Sequence, residues 1–288
     1  MKIAIASGKG GTGKTTVAAS LALSLIDWGN VCYVDCDVEA PNGHLFLKPD
    51  FSTQVEAIIR IPEIQEEQCT VCGKCVEVCQ FHALAKIGKS ILVFPQLCHG
   101  CGSCTWNCPQ GAISEVPNPI GMLESGLTQE GIRFARGLLT ISEPMPTPII
   151  RQLKKSELIS KDDIVIYDAP PGASCSVVET LRGVDYALLV TEPTPFGLHD
   201  LKQMLGIAQE MNIPVGIVIN RDGIGDARME AYLQEHHLPI LLRIPYLRIL
   251  ATGIASGKTL IDILPEYREH LQHLYAQILE QGIGGVSC

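Results

Sequence analysis

The stretch that decides the fold is GKGGTGKTT, residues Gly8 to Thr16. Gly8 to Thr15 spells G-x-x-x-x-G-K-T, the pattern of a phosphate-binding loop. Gly8, Gly10, Gly11 and Gly13, with Thr12 and Thr16 in the same turn, let successive backbone N–H groups converge on phosphate oxygens. Lys14 then offers a point charge to the terminal phosphates of a nucleotide, and Thr15 offers a hydroxyl to Mg²⁺. A glycine-rich turn matching by chance would lack the context found here. KIAIAS ahead of the loop reads as a buried strand over residues 2–7. KTTVAASLALSLIDW behind it reads as an apolar helix that stops at Gly29. VCYVDCD follows as a second strand, which completes a βαβ start with the loop at its first turn.

Further strands are expected at 164–168, 186–191, 214–220 and 239–245, and helices around 125–137, 199–211, 226–236 and 265–281. This alternation predicts an α/β fold, a mostly parallel P-loop NTPase sheet with helices on both faces. LLTISEPMPTPII, residues 138–150, is too rich in proline for a long helix and is expected to run over the surface. Residues 62–117 break the style. Cysteine density rises there, helical periodicity fades, and residues 86–94 read as a small hairpin. The expected organisation is therefore an ATPase domain in two parts, 1–61 and 118–288, around an insert at 62–117.

The chain has 12 cysteines. Without the marks of export, such a content favours metal ligation over disulfides. Eight lie in CTVCGKCVEVCQ (69–80) and its near copy CHGCGSCTWNCP (98–109). Each run reads C-x₂-C-x₂-C-x₃-C, the spacing of bacterial two-cluster ferredoxins, in which the fourth cysteine ligates the other cluster. One [4Fe–4S] cluster would take Cys69, Cys72, Cys75 and Cys108, and the second Cys98, Cys101, Cys104 and Cys79. Zinc ribbons use C-x₂-C pairs rather than two such quartets. The expected insert is a small α+β, two-cluster ferredoxin-like unit with pseudo-twofold symmetry. One departure is that Pro109 follows Cys108 whereas Gln80 follows Cys79, which could loosen one loop or retune one cluster. Cys32 and Cys36 flank the second strand and read as core, and Cys288 is terminal.

Composition narrows the function classes. The chain is 46% hydrophobic and 18% charged, as expected of a globular protein, and carries a formal charge of −9. That balance argues against nonspecific nucleic-acid binding, which needs basic side chains to neutralise phosphates. No apolar run approaches the roughly 20 residues of a membrane span. MKIAIAS is too short for a signal peptide, so a cytoplasmic location is expected.

From Lys9 onward the loop reads K-G-G-x-G-K-T, and here the sequence resembles the MinD/nitrogenase-iron-protein class of deviant P-loop ATPases. The resemblance implies that Lys9 reaches across a dimer interface to the partner's nucleotide. It implies that Asp37 orients or deprotonates the attacking water and that VEAPN (38–42) is a first switch. IVIYDAPPG (164–172) then resembles the second switch, with Asp168 holding Mg²⁺ through water and Gly172 approaching the γ-phosphate. Asn220 and Arg221 match the base-reading position.

TEPTPFGLHDL (191–201), GLTQEGIRFARGLL (126–139) and INRDGIGD (219–226) extend the likeness over essentially the whole chain. The group it resembles is the MinD-superfamily ATPases with an inserted ferredoxin domain. The implied cofactors are ATP or ADP, Mg²⁺ and two [4Fe–4S] clusters. The implied partners are a second copy of the chain, bound in the presence of ATP, and a redox or metallocluster protein. The implied function couples nucleotide state to electron transfer or metallocluster handling. Two alternatives are a MinD-like spatial organiser with structural or sensing clusters, and an iron–sulfur scaffold or carrier. Against membrane cycling, PEYREHLQHLYAQILEQ (265–281) carries little positive charge and its apolar stripe suits packing on a sheet. Cys175 occupies a switch position where the nitrogenase iron protein has a bridging ligand. Residues 118–150 hold no second cysteine to complete such a site, so a buried structural thiol is expected. His236 and His237 read as a solvated helix end, and the Met and Leu residues of 201–211 as core.

Overall fold

The computed structural model describes residues 1–157, 159–160 and 163–284. In chain order the elements begin β1 (Lys2–Ala6), α1 (Lys14–Ser24), β2 (Val31–Asp35), α2 (His44–Leu47) and β3 (Asp50–Ile64). A cysteine-rich lobe follows: α3 (Lys74–Glu77), β4 (Leu84–Ile87), β5 (Ser90–Val93) and α4 (Ser103–Trp106). The chain returns through β6 (Ile113–Leu127), β7 (Arg133–Leu139), α5 (Thr147–Lys154), β8 (Ile164–Asp168) and α6 (Cys175–Leu181). It ends with β9 (Tyr186–Thr191), α7 (Pro195–Glu210), β10 (Val215–Asp222), α8 (Arg228–Glu235), β11 (Ile240–Pro245), α9 (Arg248–Ala255), α10 (Leu260–Ile263) and α11 (Tyr267–Gly284).

Nine strands form one sheet in the order β11-β10-β9-β1-β8-β2-β7-β6-β3. Neighbours from β11 to β7 are parallel, whereas β6 and β3 close the edge in antiparallel pairing. Every residue of β2, β8 and β9 is buried, as expected for parallel strands covered on both faces. Ile3 and Ile5 face a core completed by α1 and by Leu271, Leu274 and Ile278 of α11. Ala4 and Ala6 face the opposite core, with Ile149 and Ile150 of α5 and Leu201 and Met204 of α7. Cys32 and Cys36 lie in that second core.

Two sequence expectations are corrected. Residues 125–137 are not a helix: they form the end of β6, a turn at Gly131 (φ 83°) and most of β7. Phe134 packs in one core and Ala135 in the other, a period of two that the arginine spacing in RFAR disguises. Arg136 pairs with Glu124 of β6 and lies 4.3 Å over the Phe51 ring, a cross-strand arrangement rather than a helical one. The proline-rich segment 138–150 also does more than cross the surface. Ile141 is exposed, but Ile149 and Ile150 are fully buried at the start of α5.

β3 and β6 make a 15-residue ribbon, paired from Asp50↔Leu127 out to Ile64↔Ile113, with the cysteine-rich lobe at its far end. The lobe repeats its backbone. Val71 and Gly100 are left-handed (φ 53° and 62°), as are Gly73 and Gly102 (86° and 73°) and His82 and Gly111 (52° and 60°). The Gln80/Pro109 departure leaves the turn unchanged: His82 N–H donates to the Cys79 carbonyl at 3.3 Å, and Gly111 N–H to that of Cys108 at 3.2 Å. Gly100, unlike its counterpart Val71, sits where a side chain would be crowded. A Cβ there would meet the Arg60 carbonyl oxygen at 3.1 Å and Ile59 Cβ at 3.3 Å, where the lobe abuts the ribbon. Gly100→Ala is therefore expected to destabilise the lobe by about 1–2 kcal/mol, the cost of the left-handed backbone alone. Urea denaturation followed by limited proteolysis within the lobe would check it, and an unchanged midpoint would refute it.

Candidate functional site

The loop between β1 and α1 places Gly10, Gly11, Gly13, Lys14, Thr15 and Thr16 along a cleft of ≈ 510 Å³, within the roughly 300–1,000 Å³ of small-molecule sites. Gly13 is left-handed (φ 93°), and a Cβ there would fall 2.4 Å from the Asn220 amide nitrogen. Gly8 packs against Asp200, and Thr12 is buried behind the loop. Lys14 is buried, and its ammonium pKa is lowered by desolvation; the nearby charges of Asp168 and Asp37 oppose that shift. A buried cation beside two carboxylates is suited to an incoming polyanion with its metal.

Asp168 ends β8 and is fully buried. Burial pushes its carboxyl up to about 6, while Thr15, Lys14 and Tyr33 act the other way. The Tyr33 hydroxyl donates to Asp168 Oδ2 at 2.9 Å, and Oδ1 is buried with no hydrogen-bond partner. That orphaned oxygen beside the Thr15 hydroxyl fits a hydrated Mg²⁺. Asp37 lines the same cleft, and burial raises its pKa. Asp35, the preceding acid, has a different task. Its carboxylate accepts backbone N–H bonds from Asp37 (3.2 Å), Asn42 (3.0 Å) and Gly43 (2.8 Å), stapling the loop that carries Asp37. The chain leading to Asp37 and the strand end carrying Asp168 are tied together by Cys36 N–H, which donates to the Asp168 carbonyl at 2.9 Å, and Gly172 N–H donates to the Ser7 carbonyl ahead of the phosphate loop at 3.1 Å.

Asn220 and Arg221 line the cleft but also hold the loop. Asn220 Nδ2 donates to the Thr12 carbonyl at 2.7 Å, and Arg221 donates to the Gly11 carbonyl at 3.2 Å. Lys9 is folded onto its own chain, with its ammonium 3.2 Å from Glu192 Oε2. In the sequence Asp35 is read only as the neighbour of Asp37, without a role, and Glu192 is missed. A signal for Glu192 was available: TEP places a carboxylate directly after a buried strand, at the carboxyl ends of the strands where α/β sites assemble.

In the lobe, Cys69, Cys72, Cys75 and Cys108 ring one cavity, and Cys79, Cys98, Cys101 and Cys104 ring another. Ala83 N–H donates to Cys79 Sγ and Ala112 N–H to Cys108 Sγ, both at 3.3 Å. Cys72 and Cys101 are the exposed members of the two sets. Among the described residues, no three His, Cys, Asp or Glu side chains converge to hold a single metal ion. Cys175, expected to be buried, is exposed at the first residue of α6, just after the loop that follows β8. His236 and His237 are exposed just past α8, and Cys288 lies outside the described residues.

The loop, its flanking parallel strands and the two carboxylates define a P-loop NTPase. The chain belongs to the CobQ/CobB/MinD/ParA nucleotide-binding domain family, whose model matches residues 3–261. It is similar to an uncharacterized protein of Methanocaldococcus jannaschii, 33% identical over 281 residues, which span 97% of both chains. It is also similar to a cytosolic Fe-S cluster assembly factor NUBP2 homolog of Nematostella vectensis, 26% identical over 287 residues, 91% of this chain and 85% of that one. The septum site-determining protein MinD of Pyrococcus horikoshii, complexed with Mg-ADP, shares the fold. Its TM-score is 0.58 at 20% identity, over 96% of this chain and 94% of that one. No helix among the described residues is long and apolar enough to cross a membrane.

Proposed function

We propose that this P-loop protein binds and slowly hydrolyses Mg-ATP, carries two [4Fe–4S] clusters in residues 62–117, and uses the nucleotide to control what those clusters can do with a partner protein. ATP would close a homodimer through Lys9. Lys14, Thr15 and the loop amides would hold the phosphates, Asp168 and Thr15 the Mg²⁺, and Asp37 the attacking water. Gly172 would sense the γ-phosphate. Asn220 and Arg221 would flank the base, with Asn220 also bracing the loop. The clusters supply one-electron chemistry when bound, and the thiols that ring the two lobe cavities are suitable donors. The exposed Cys72 and Cys101 mark where a partner could approach each cluster.

The observation that carries the coupling is continuity. The loop bearing Asp37 leads through the single turn of α2 into β3, and β3 with β6 holds the lobe. A second link runs from the other switch. Arg151 of α5 makes a two-bonded pair with Glu179 of α6 at 3.2 and 3.1 Å. Lys154 donates to the Glu179 and Thr180 carbonyls at 2.9 and 2.6 Å, and Gln152 caps Ile58 of β3. A switch movement therefore has rigid elements through which to reach the ribbon.

Anaerobic redox titration with ADP and then with a non-hydrolysable ATP analogue tests the coupling. Allosteric couplings of about 1–3 kcal/mol correspond to shifts of roughly 40–130 mV for a one-electron couple. By linkage, cluster reduction must change ATP affinity by the same factor. Equal potentials, together with ATP affinity indifferent to reduction, would refute this coupling. The likeness to an iron–sulfur assembly factor favours a second reading, a carrier. It would be upheld by ATP-dependent transfer of a cluster to an apoprotein and refuted by clusters that stay on this chain through turnover.

A further inference from the structure

We infer that Glu192 is a positioning residue that restrains Lys9 and anchors Arg221, so that releasing one cation loads the other. This rests on the proposed ATP-dependent dimer for its consequence but not for its geometry. Glu192 is 4% exposed, and its two carboxylate oxygens divide their partners. Oε2 accepts from the Lys9 ammonium at 3.2 Å, and Oε1 lies 2.7 Å from the Arg221 guanidinium. Those cations stand on two different parts of the nucleotide site: Lys9 within the phosphate loop, Arg221 beside Gly11 at the end of β10.

The mount is stiff on every side. Thr194 caps α7 by accepting from Gly197 N–H at 3.0 Å, and its own N–H donates to the Glu192 carbonyl at 2.7 Å. The Ser7 hydroxyl donates to the Lys9 carbonyl at 2.7 Å. Arg221 is held left-handed (φ 55°), with its backbone N–H on Asn220 Oδ1 at 2.9 Å. A buried carboxylate is costly to leave unpaired. Lys9 can therefore leave for a partner's phosphate only while Arg221 keeps Glu192 neutralised. Arg221 lines the nucleotide cleft, so occupancy of the cleft and freedom of Lys9 are tied through one side chain. Both cations reach solvent, Lys9 with 37% and Arg221 with 45% of the side chain exposed, whereas the Glu192 side chain between them is 5% exposed.

The test compares wild type, Glu192→Gln, Lys9→Ala and the double variant. The first readout is the rate at which a water-soluble acylating reagent labels Lys9 in nucleotide-free protein, measured by mass spectrometry. Glu192→Gln is expected to raise it about fivefold. The second is sedimentation with a non-hydrolysable ATP analogue. Glu192→Gln should strengthen dimerisation about fivefold while weakening nucleotide binding to the monomer, because Arg221 loses its anchor. In the Lys9→Ala background, Glu192→Gln should leave dimerisation unchanged. A merely destabilised fold would weaken both steps instead of moving them in opposite directions. Unchanged Lys9 labelling, or equal dimer strengthening in the Lys9→Ala background, overturns the restraint. Raised labelling in a chain that stays monomeric with the analogue upholds the restraint and overturns the dimer.

Discussion

Lys14→Ala is expected to weaken ATP binding by about 100- to 1,000-fold, equivalent to about 3–4 kcal/mol. Hydrogen bonds to charged groups contribute about 1.5–3 kcal/mol, so losing the ammonium–phosphate contact accounts for much of this. The remainder comes from what the lysine leaves behind. Its ammonium is buried between the charges of Asp168 and Asp37. Without it, two carboxylates face the phosphates with no fixed cation between them. The fold itself should survive, because Lys14 stands at the start of α1 and lines the cleft rather than either apolar core. Equilibrium binding of a fluorescent ATP analogue, with circular dichroism as the folding check, measures this. Affinity within tenfold of wild type would remove Lys14 from the site. Asp37→Ala is the companion variant: it should bind ATP with little change and lose turnover, since the role proposed for Asp37 is on the attacking water rather than the phosphates.

What the sequence made legible follows from which residues are constrained locally. The loop from Gly8 to Thr16 and the strands IVIYD and YALLVT are local signals, because glycine spacing and unbroken apolar runs need no partner to be read. The ribbon was not legible. Most of β3 is exposed, so its residues do not alternate, and only pairing with β6 makes it a strand. RFARGLL likewise becomes a strand by joining β2 and β6. The site divides in the same way. Lys14 and Thr15 are named by a contiguous motif. Asp35 and Glu192 act on segments that folding brings to them, the first on Asn42 and Gly43, the second on Lys9. The exposure of Cys175 was not legible either, because the apolar residues of α6 do not show in sequence which side of its first turn faces solvent.

The cysteine sets support a sharper expectation, because they cross between the two runs. Cys79 belongs by sequence to the run of Cys69, Cys72 and Cys75, yet it lines the cavity of Cys98, Cys101 and Cys104. Cys108 crosses the other way. If each cavity holds one cubane, Cys79→Ser should disrupt the cluster of the second run and spare that of the first, and Cys108→Ser should do the reverse. Anaerobically prepared wild type should hold about eight iron and eight acid-labile sulfide per chain, the content of two cubanes, and each variant should fall toward about four. Cys69→Ser and Cys98→Ser give the uncrossed controls. Cys69→Ser should match Cys108→Ser in its electron paramagnetic resonance spectrum after reduction, and Cys98→Ser should match Cys79→Ser. The pairing of spectra is more informative than the iron count, since partial loss could follow from any damage to the lobe. If Cys79→Ser instead matched Cys69→Ser, each cluster would be built from one contiguous run, and the crossed ligand sets would be wrong. Stoichiometric zinc without iron would remove the clusters altogether, and with them any electron-transfer role for the ATPase that carries the lobe.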